Sequence, residues 1–257
     1  LGKAATEYNS NVAAATAKHG PIAGWCVSGV TDMSDLFTSS GNFNADISGW
    51  DTSRVTDMSS MLQGAISFDQ PLYFDFSSVI DMTCMLATTS CTGDPWGRRR
   101  RALSDSCIVE DEPLVFNHPI TLGTTKRVTD LTGMFAGSKF NQPVSLDTSG
   151  VTSMKAMFRQ ASLFNQPLSF DTSRVTDMSD MFQSAHDFNQ DLSSWKVGAV
   201  TDMNQMFSGA NRFANTADLS GWDVSKVTNM NSMFNGASYF NATGLGSWDV
   251  SKVTDMS

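Results

Sequence analysis

Residues 192–213 read LSSWKVGAVTDMNQMFSGANRF, and this stretch holds the apolar positions that recur along the chain. Its apolar residues are Leu192, Trp195, Val197, Val200, Met203, Met206, Phe207, Ala210 and Phe213. Val-Thr-Asp-Met starts again at Val30, Val55, Val175 and Val253, with near copies at Val79, Val128, Val151 and Val227. Phe-Asn-Gln-Pro, at Phe164–Pro167, has relatives at Phe43, Phe68 and Phe188. Trp-Asp-(Thr/Val)-Ser occurs at Trp50, Trp222 and Trp248, with variants at Leu146 and Phe170. About nine copies of a unit of roughly 25 residues account for nearly the whole chain. A fixed period of this size is the signature of stacked repeats, in which each unit buries its apolar side only against its neighbours.

The spacings divide the unit into rigid and variable arms. Trp50 to Val55 and Phe170 to Val175 are both five residues; Val30 to Phe43 and Val200 to Phe213 are both 13. From that Phe to the next Trp or Phe the step varies, from six at Phe164–Phe170 to nine at Phe213–Trp222. Arms that pack on neighbours keep their length, and a loop on one edge absorbs the changes. Val79 to Phe116 spans 37 residues, which marks a non-repeat insertion at about residues 88–112.

Within the coil, Trp195 and Val197 alternate with polar residues, as a short strand does. Met203, Met206 and Phe207 are spaced by three and four, which predicts a helical turn; Asp202 is a fitting N-cap and Gly209 a fitting end. The expected fold is an α/β repeat solenoid with one short parallel strand and one short helical turn per coil of about 25 residues. Residues 1–23, Ala-rich with Leu1, Ala4, Ala5, Tyr8 and Val12 on one face, are expected to form a helical cap over a solenoid at 24–257. The chain stops inside a repeat, at Val253–Ser257. That open coil is the expected route of assembly with another molecule.

The Leu-x-x-Trp-x-Val core resembles the leucine-rich-repeat pattern, with Trp and Met in place of several leucines. The full unit, Val-Thr-x-Met-x-x-Met-Phe followed by Phe-Asn and Trp-Asp-(Val/Thr)-Ser, resembles the BspA-like leucine-rich-repeat surface protein family. The resemblance runs from about Gly24 to the end, apart from the insertion. It implies an extracellular or cell-surface protein with structural, adhesive or protein-binding roles, and it carries no catalytic residue.

Composition narrows the function classes. The net charge is −9, from 17 basic and 26 acidic residues. Such a chain is a poor nucleic-acid binder, because phosphate contacts need clustered Lys and Arg. No apolar run is long enough for a membrane span. No nucleophile–base pairing, metal-ligand spacing or phosphate loop stands out, so the chain reads as non-enzymatic and without a cofactor. The expected partners are other proteins or surface glycans.

Several residues are candidates for more specific roles. Asp51, Asp75, Asp147, Asp171, Asp223 and Asp249 should fall in one column, with neighbouring strands about 4.8 Å apart. Two readings apply to them: a calcium or glycan site on the column, or local hydrogen bonding to backbone N–H and to the Ser two positions on. Cys26 and Lys196 at the same register speak against a ladder of metal sites. Asp32, Asp57, Asp81, Asp130, Asp177, Asp202, Asn229 and Asp255 read as caps, and the Asn of Phe-Asn-Gln as a buried ladder serving loop backbone, with glycan binding by the Asn/Gln/Trp set as the alternative. Arg98, Arg99, Arg100 and Arg101 form a tetrabasic run in the insertion, read as a processing site, as a docking patch for an acidic partner, or as a solvated loop. Cys91 and Cys107 flank that run as a candidate disulfide, with Cys84 as a competitor. Asn241 opens an Asn-x-Thr glycosylation sequon.

Overall fold

The computed structural model describes residues 1–88, 113–122, 125–214, 218–241 and 243–257. Two helices open the chain, α1 at Gly2–Ser10 and α2 at Val12–His19. Asn11 separates them and caps α2, its Oδ1 accepting from the Ala14 N–H at 3.0 Å. The pair is tied together by Glu7, which meets Lys18 Nζ at 2.7 Å and His19 Nε2 at 2.6 Å. A short 3-10 turn, Ile22–Gly24, leads into the repeats.

The α/β repeat solenoid of leucine-rich-repeat type is not what the chain forms. After the cap, the regular elements among the described residues are two three-residue strands, β1 (Ile120–Leu122) and β2 (Val144–Leu146), which pair in parallel, and 3-10 turns at Ile22–Gly24 and Leu245–Ser247. Elsewhere successive coils meet at isolated parallel bridges, Asp32 to Asp57 to Asp81 to Asp130 to Ser153 and on to Asp255. The Trp-x-Val segments alternate as strands do but form no ladder.

The predicted helical turn fails for a definite backbone reason. In the second coil Met58, Ser60, Leu62 and Gly64 donate their N–H groups to the carbonyls of Asp81, Thr83, Met85 and Ala87 in the next coil, at 2.8–3.0 Å. The intervening N–H groups of Met61, Gln63 and Ala65 bond three residues back, to Met58, Ser60 and Leu62. An α-helix would send all of them four residues back. The alternation needs a left-handed residue two positions after each Met: Asp35, Ser60, Cys84, Ala156, Asp180, Gln205 and Ser232 all have φ between 50° and 58°. A second left-handed position follows four residues on, filled by glycine at Gly64, Gly137, Gly209 and Gly236 and by Ser39, Gln160 and Ser184 elsewhere. The Met-x-x-Met-Phe spacing therefore marks a run of linked turns.

The interior is built from aromatic columns. Phe43, Phe68, Phe116, Phe140, Phe164, Phe188, Phe213 and Phe240 stack in order with centroids 5.7–6.1 Å apart. A second column runs Phe135, Phe158, Phe182, Phe207 and Phe234 at 5.4–5.7 Å. Phe68 stacks directly on Phe116, and Asp81 bridges to Asp130, so the coils before and after the insertion are neighbours. The tryptophans have a polar reason for their places. Trp50 donates Nε1–H to the carbonyl of Ile22 in the lead-in turn, and Trp222 and Trp248 donate to Leu192 and Leu219 of an earlier coil, at 2.9–3.1 Å. Buried Thr52 and Thr172 each accept from a backbone N–H of the next coil and donate to a carbonyl of the same residue, Asp75 and Lys196 respectively.

Two measurements check this architecture. Far-UV circular dichroism is expected to show only a weak 222-nm band, since α1 and α2 are the α-helices of the described chain; a strong helical double minimum would contradict the turn runs. Phe164→Ala, at a fully buried column position, is expected to cost about 3–5 kcal/mol in urea unfolding. Leu163→Ala, at a neighbouring exposed site, is expected to cost about 0.5 kcal/mol or less.

Candidate functional site

The coils present four repeating sets of polar side chains. The first is the Asp set of the Trp-Asp-(Thr/Val)-Ser motif. The Ser53 N–H and hydroxyl both donate to Asp51 Oδ1, at 3.1 and 2.7 Å, and Ser149 and Ser173 bring their N–H groups to Asp147 and Asp171 at 3.1 and 3.0 Å. Asp75, Asp223 and Asp249 each receive the N–H of the residue two positions on. The hydroxyl, then the N–H, of the serine holds the carboxyls of Asp51, Asp147, Asp171, Asp223 and Asp249 below the usual carboxylate range. Cations stand among them: Lys126 favours ionised Asp147, Lys196 favours ionised Asp171, and Lys226 and Lys252 favour ionised Asp223. Asp171 opposes Asp147, and Asp223 opposes Asp249.

The second Asp set makes the contact expected of caps without a helix to cap. Asp32, Asp57, Asp81, Asp130, Asp177 and Asp202 accept from the N–H two residues on at 2.8–2.9 Å, closing an Asx turn. Among the described residues, no group of three or more His, Cys, Asp or Glu side chains is placed to hold a metal ion. Asp180, set at one of the left-handed positions, is different. Burial pushes its carboxyl above the usual range, and Arg159 and Lys155 pull it back in part.

The Asn ladder runs along a corner of the coils. Asn44, Asn117, Asn141, Asn165 and Asn189 each accept, through Oδ1, the N–H of the matching residue one coil on, at 2.9–3.0 Å. Gln166 and Gln190 cross-brace it by donating to Asn141 and Asn165. These side chains are exposed or half-buried, so the ladder is not the buried one that the sequence suggests.

A fourth set was not anticipated. The Thr of Val-Thr-Asp is exposed at Thr31, Thr129, Thr152, Thr176, Thr201, Thr228 and Thr254. Thr152, Thr176, Thr201, Thr228 and Thr254 each donate Oγ1–H to the carbonyl of the Thr one coil before, at 3.1–3.2 Å. The signal was present in the repetition of Thr itself, replaced once, by Ile80. Two recesses flank the columns. A polar cleft of about 720 Å³ lies between Thr6–Val12 and Asp35–Ala45 of the first coil. An apolar recess of about 750 Å³ is lined by Met230, Met233, Phe234, Leu245, Trp248 and Met256.

The family model described as "Mycoplasma protein of unknown function, DUF285" matches residues 6–95, 108–218 and 214–257. The chain belongs to the DUF285 family. No curated protein and no solved structure matches it. The DUF285 match runs across the cap, the coils on both sides of the insertion and the last coil.

The remaining candidates are scattered. Arg98, Arg99, Arg100 and Arg101, together with Cys91 and Cys107, lie outside the described residues. Cys84 is disulfide-bonded, and Cys26 is free and exposed. Asn241 is exposed. Among the described residues no helix is long and apolar enough to cross a membrane.

The serine-held carboxylates have depressed values in the folded chain. Their contribution is present above the unfolded value of about 3.9 and is lost as pH falls through the folded values. Melting temperature is expected to hold from neutral pH to about 5 and to drop below about 4. Ser149→Ala should move the Asp147 titration, followed by carboxyl NMR, upward. Asp180 has the opposite sign, because its raised value makes ionisation oppose folding as pH rises. Asp180→Asn is expected to raise the melting temperature at pH 7, with the gain fading on acidification; Asn also suits the left-handed backbone there.

Proposed function

We propose that this chain is an extracellular or cell-surface scaffold, structural or adhesive, that presents a repeated surface for contact with other proteins. The observation that carries this reading is the set of exposed Thr, Asp and Asn columns, renewed at most coils and fastened by hydrogen bonds to the coil backbone. A surface of this kind loses little side-chain entropy when a partner lands on it. Identical groups one coil apart also let several weak contacts act together. The bonded Cys84 suits an oxidising compartment. The exposed Asn241, first residue of the sequon, suits secretion. The motif resemblance to BspA-like surface proteins points the same way.

The alternative, a calcium or glycan module built on Asp51, Asp75, Asp147, Asp171, Asp223 and Asp249, ranks second. Each of these carboxylates already accepts a local hydrogen bond.

The test is binding of the purified chain to immobilised extracellular-matrix proteins and to a glycan array, with and without calcium. Saturable binding to a matrix protein is expected, weakened at least tenfold by Thr152→Lys with Thr176→Lys and Thr201→Lys. Calcium is expected to leave binding and melting temperature unchanged. Glycan binding that calcium strengthens, with no matrix contact, would favour the alternative. Surface labelling of intact source cells should reach the chain; a protein protected inside the cell would defeat both readings.

A further inference from the structure

The hydrogen bonds that join the coils have a direction, and the first coil stands at the end of it. Throughout the stack, the alternate N–H groups of one coil donate to the carbonyls of the coil that follows. Asp57, Ser59, Met61 and Gln63 receive Met33, Asp35, Phe37 and Ser39 in this way, at 2.7–2.9 Å. The matching carbonyls of the first coil are those of Asp32, Ser34, Leu36 and Thr38. Among the described residues no backbone or side-chain donor reaches any of the four. The corner of the same coil is open in the opposite sense. Ser67 N–H donates to the Gly41 carbonyl and Asp69 N–H to Asn44 Oδ1, whereas their counterparts in the first coil, the N–H groups of Asn42 and Asn44, have no acceptor among the described residues.

The helical cap covers the apolar centre of this coil without answering its backbone. Tyr8 packs edge-on against Trp25 and Phe43, with centroids at 5.9 and 6.3 Å, and Ala5 is buried. The N–H groups along a helix bond within the helix and do not reach a neighbouring edge. What lies between the end of α1 and the open row is the polar cleft of about 720 Å³. Its volume is in the range of ligand-binding clefts. Thr6, Asn9 and Ser10 form one wall; Leu36, Thr38 and Ser39 lie along the other.

We propose that this cleft is a docking site for a polypeptide segment of a partner protein, which adds to the first coil as one more coil edge. Four acceptors in alternate positions call for a backbone with four N–H groups in alternate positions, which is the chemistry of edge-strand addition. The segment type that presents those donors is visible in this same chain. Met203, Gln205, Phe207 and Gly209 donate in alternation to Asn229, Asn231, Met233 and Asn235 at 2.7–2.9 Å. The occupant is therefore a Met-x-x-Met-Phe-x-Gly turn run carried by another molecule. This deepens the protein-contact reading of the preceding subsection, rests on it, and gives it a place and a partner chemistry.

The probe is a synthetic peptide of residues 200–213, VTDMNQMFSGANRF, titrated into the full chain and followed by calorimetry and by NMR shifts of the Asp32–Asn44 backbone. Saturable binding with shifts confined to that segment and to α1 is expected. N-methylation of the peptide at Gln205 and Phe207 removes two of the donors and should weaken binding at least tenfold. Asn9→Trp, at an exposed α1 position, fills the cleft and should weaken it similarly while the melting temperature stays unchanged. No binding at millimolar peptide overturns the proposal, as does binding that survives both N-methylation and Asn9→Trp. If matrix binding through the Thr column persists when the peptide fails, the docking site alone is refuted. If matrix binding fails as well, both readings fall.

Discussion

The structure depends on one requirement: alternate backbone N–H groups of each coil must reach the carbonyls of the next. A chain that leaves buried backbone groups unpaired loses free energy comparable to a hydrogen bond for each. Here the pairing is met without regular strands, because the chain turns back on itself every few residues and offers only every second N–H outward. The geometry forces two left-handed residues into the run. Glycine takes that conformation freely, and several coils use it at the second position. Asp35, Ser60, Ala156 and Gln205 adopt it at the first position, at about 1–2 kcal/mol each. That strain persists only because the next coil fixes the donors on either side, so neighbours stabilise one another's backbone as well as their apolar surface.

The same dependence explains the residue types of the core. Each Phe inside the long column touches a Phe above and a Phe below, and offset stacking at about 4.5–7 Å contributes beyond simple burial. Trp recurs where an indole N–H can reach a carbonyl of an earlier coil, and Thr where a hydroxyl can both donate to and accept from the following one. The insertion at about residues 88–112 leaves the columns unbroken, since Phe68 still meets Phe116.

Much of this was readable from the repeat alone. The two constant spacings marked the arms that stack, and the one long interval marked the insertion. The Asp-x-Ser pairing and the Asn of Phe-Asn-Gln also suggested local and inter-coil bonding. The helical turn was misread because Met203, Met206 and Phe207 at spacings of three and four suit either a helix or linked turns. What separates the two is the sign of φ at Gln205, and a non-glycine residue gives no sign of that. Asp202 misled in the same way, since an N-cap and an Asx turn both bring an N–H two residues on to Oδ1. The Trp-x-Val strand failed because alternation reports burial, and burial on one side does not require a ladder. The Thr column left its trace in the repetition of Thr, but the partner of each hydroxyl lies a coil away and is not written locally; the cleft beside α1 left none, since an Ala-rich helix does not state the angle at which it docks.

A surface built this way has a particular capacity for recognition. In most proteins the exposed side chains are free to move, and a partner must order them on contact. Here Thr152, Thr176 and Thr201 have committed their hydroxyls to the stack, and Asp147 and Asp171 hold a serine hydroxyl, a serine N–H or both. What faces outward is a set of groups whose spacing is dictated by the backbone ladder itself. Any partner that fits one coil fits the next at a fixed offset, so contact strength can grow with the number of coils engaged and needs no deep pocket. The constraint that makes the fold possible thereby also makes its surface regular, and regularity is the property on which a contact role would draw.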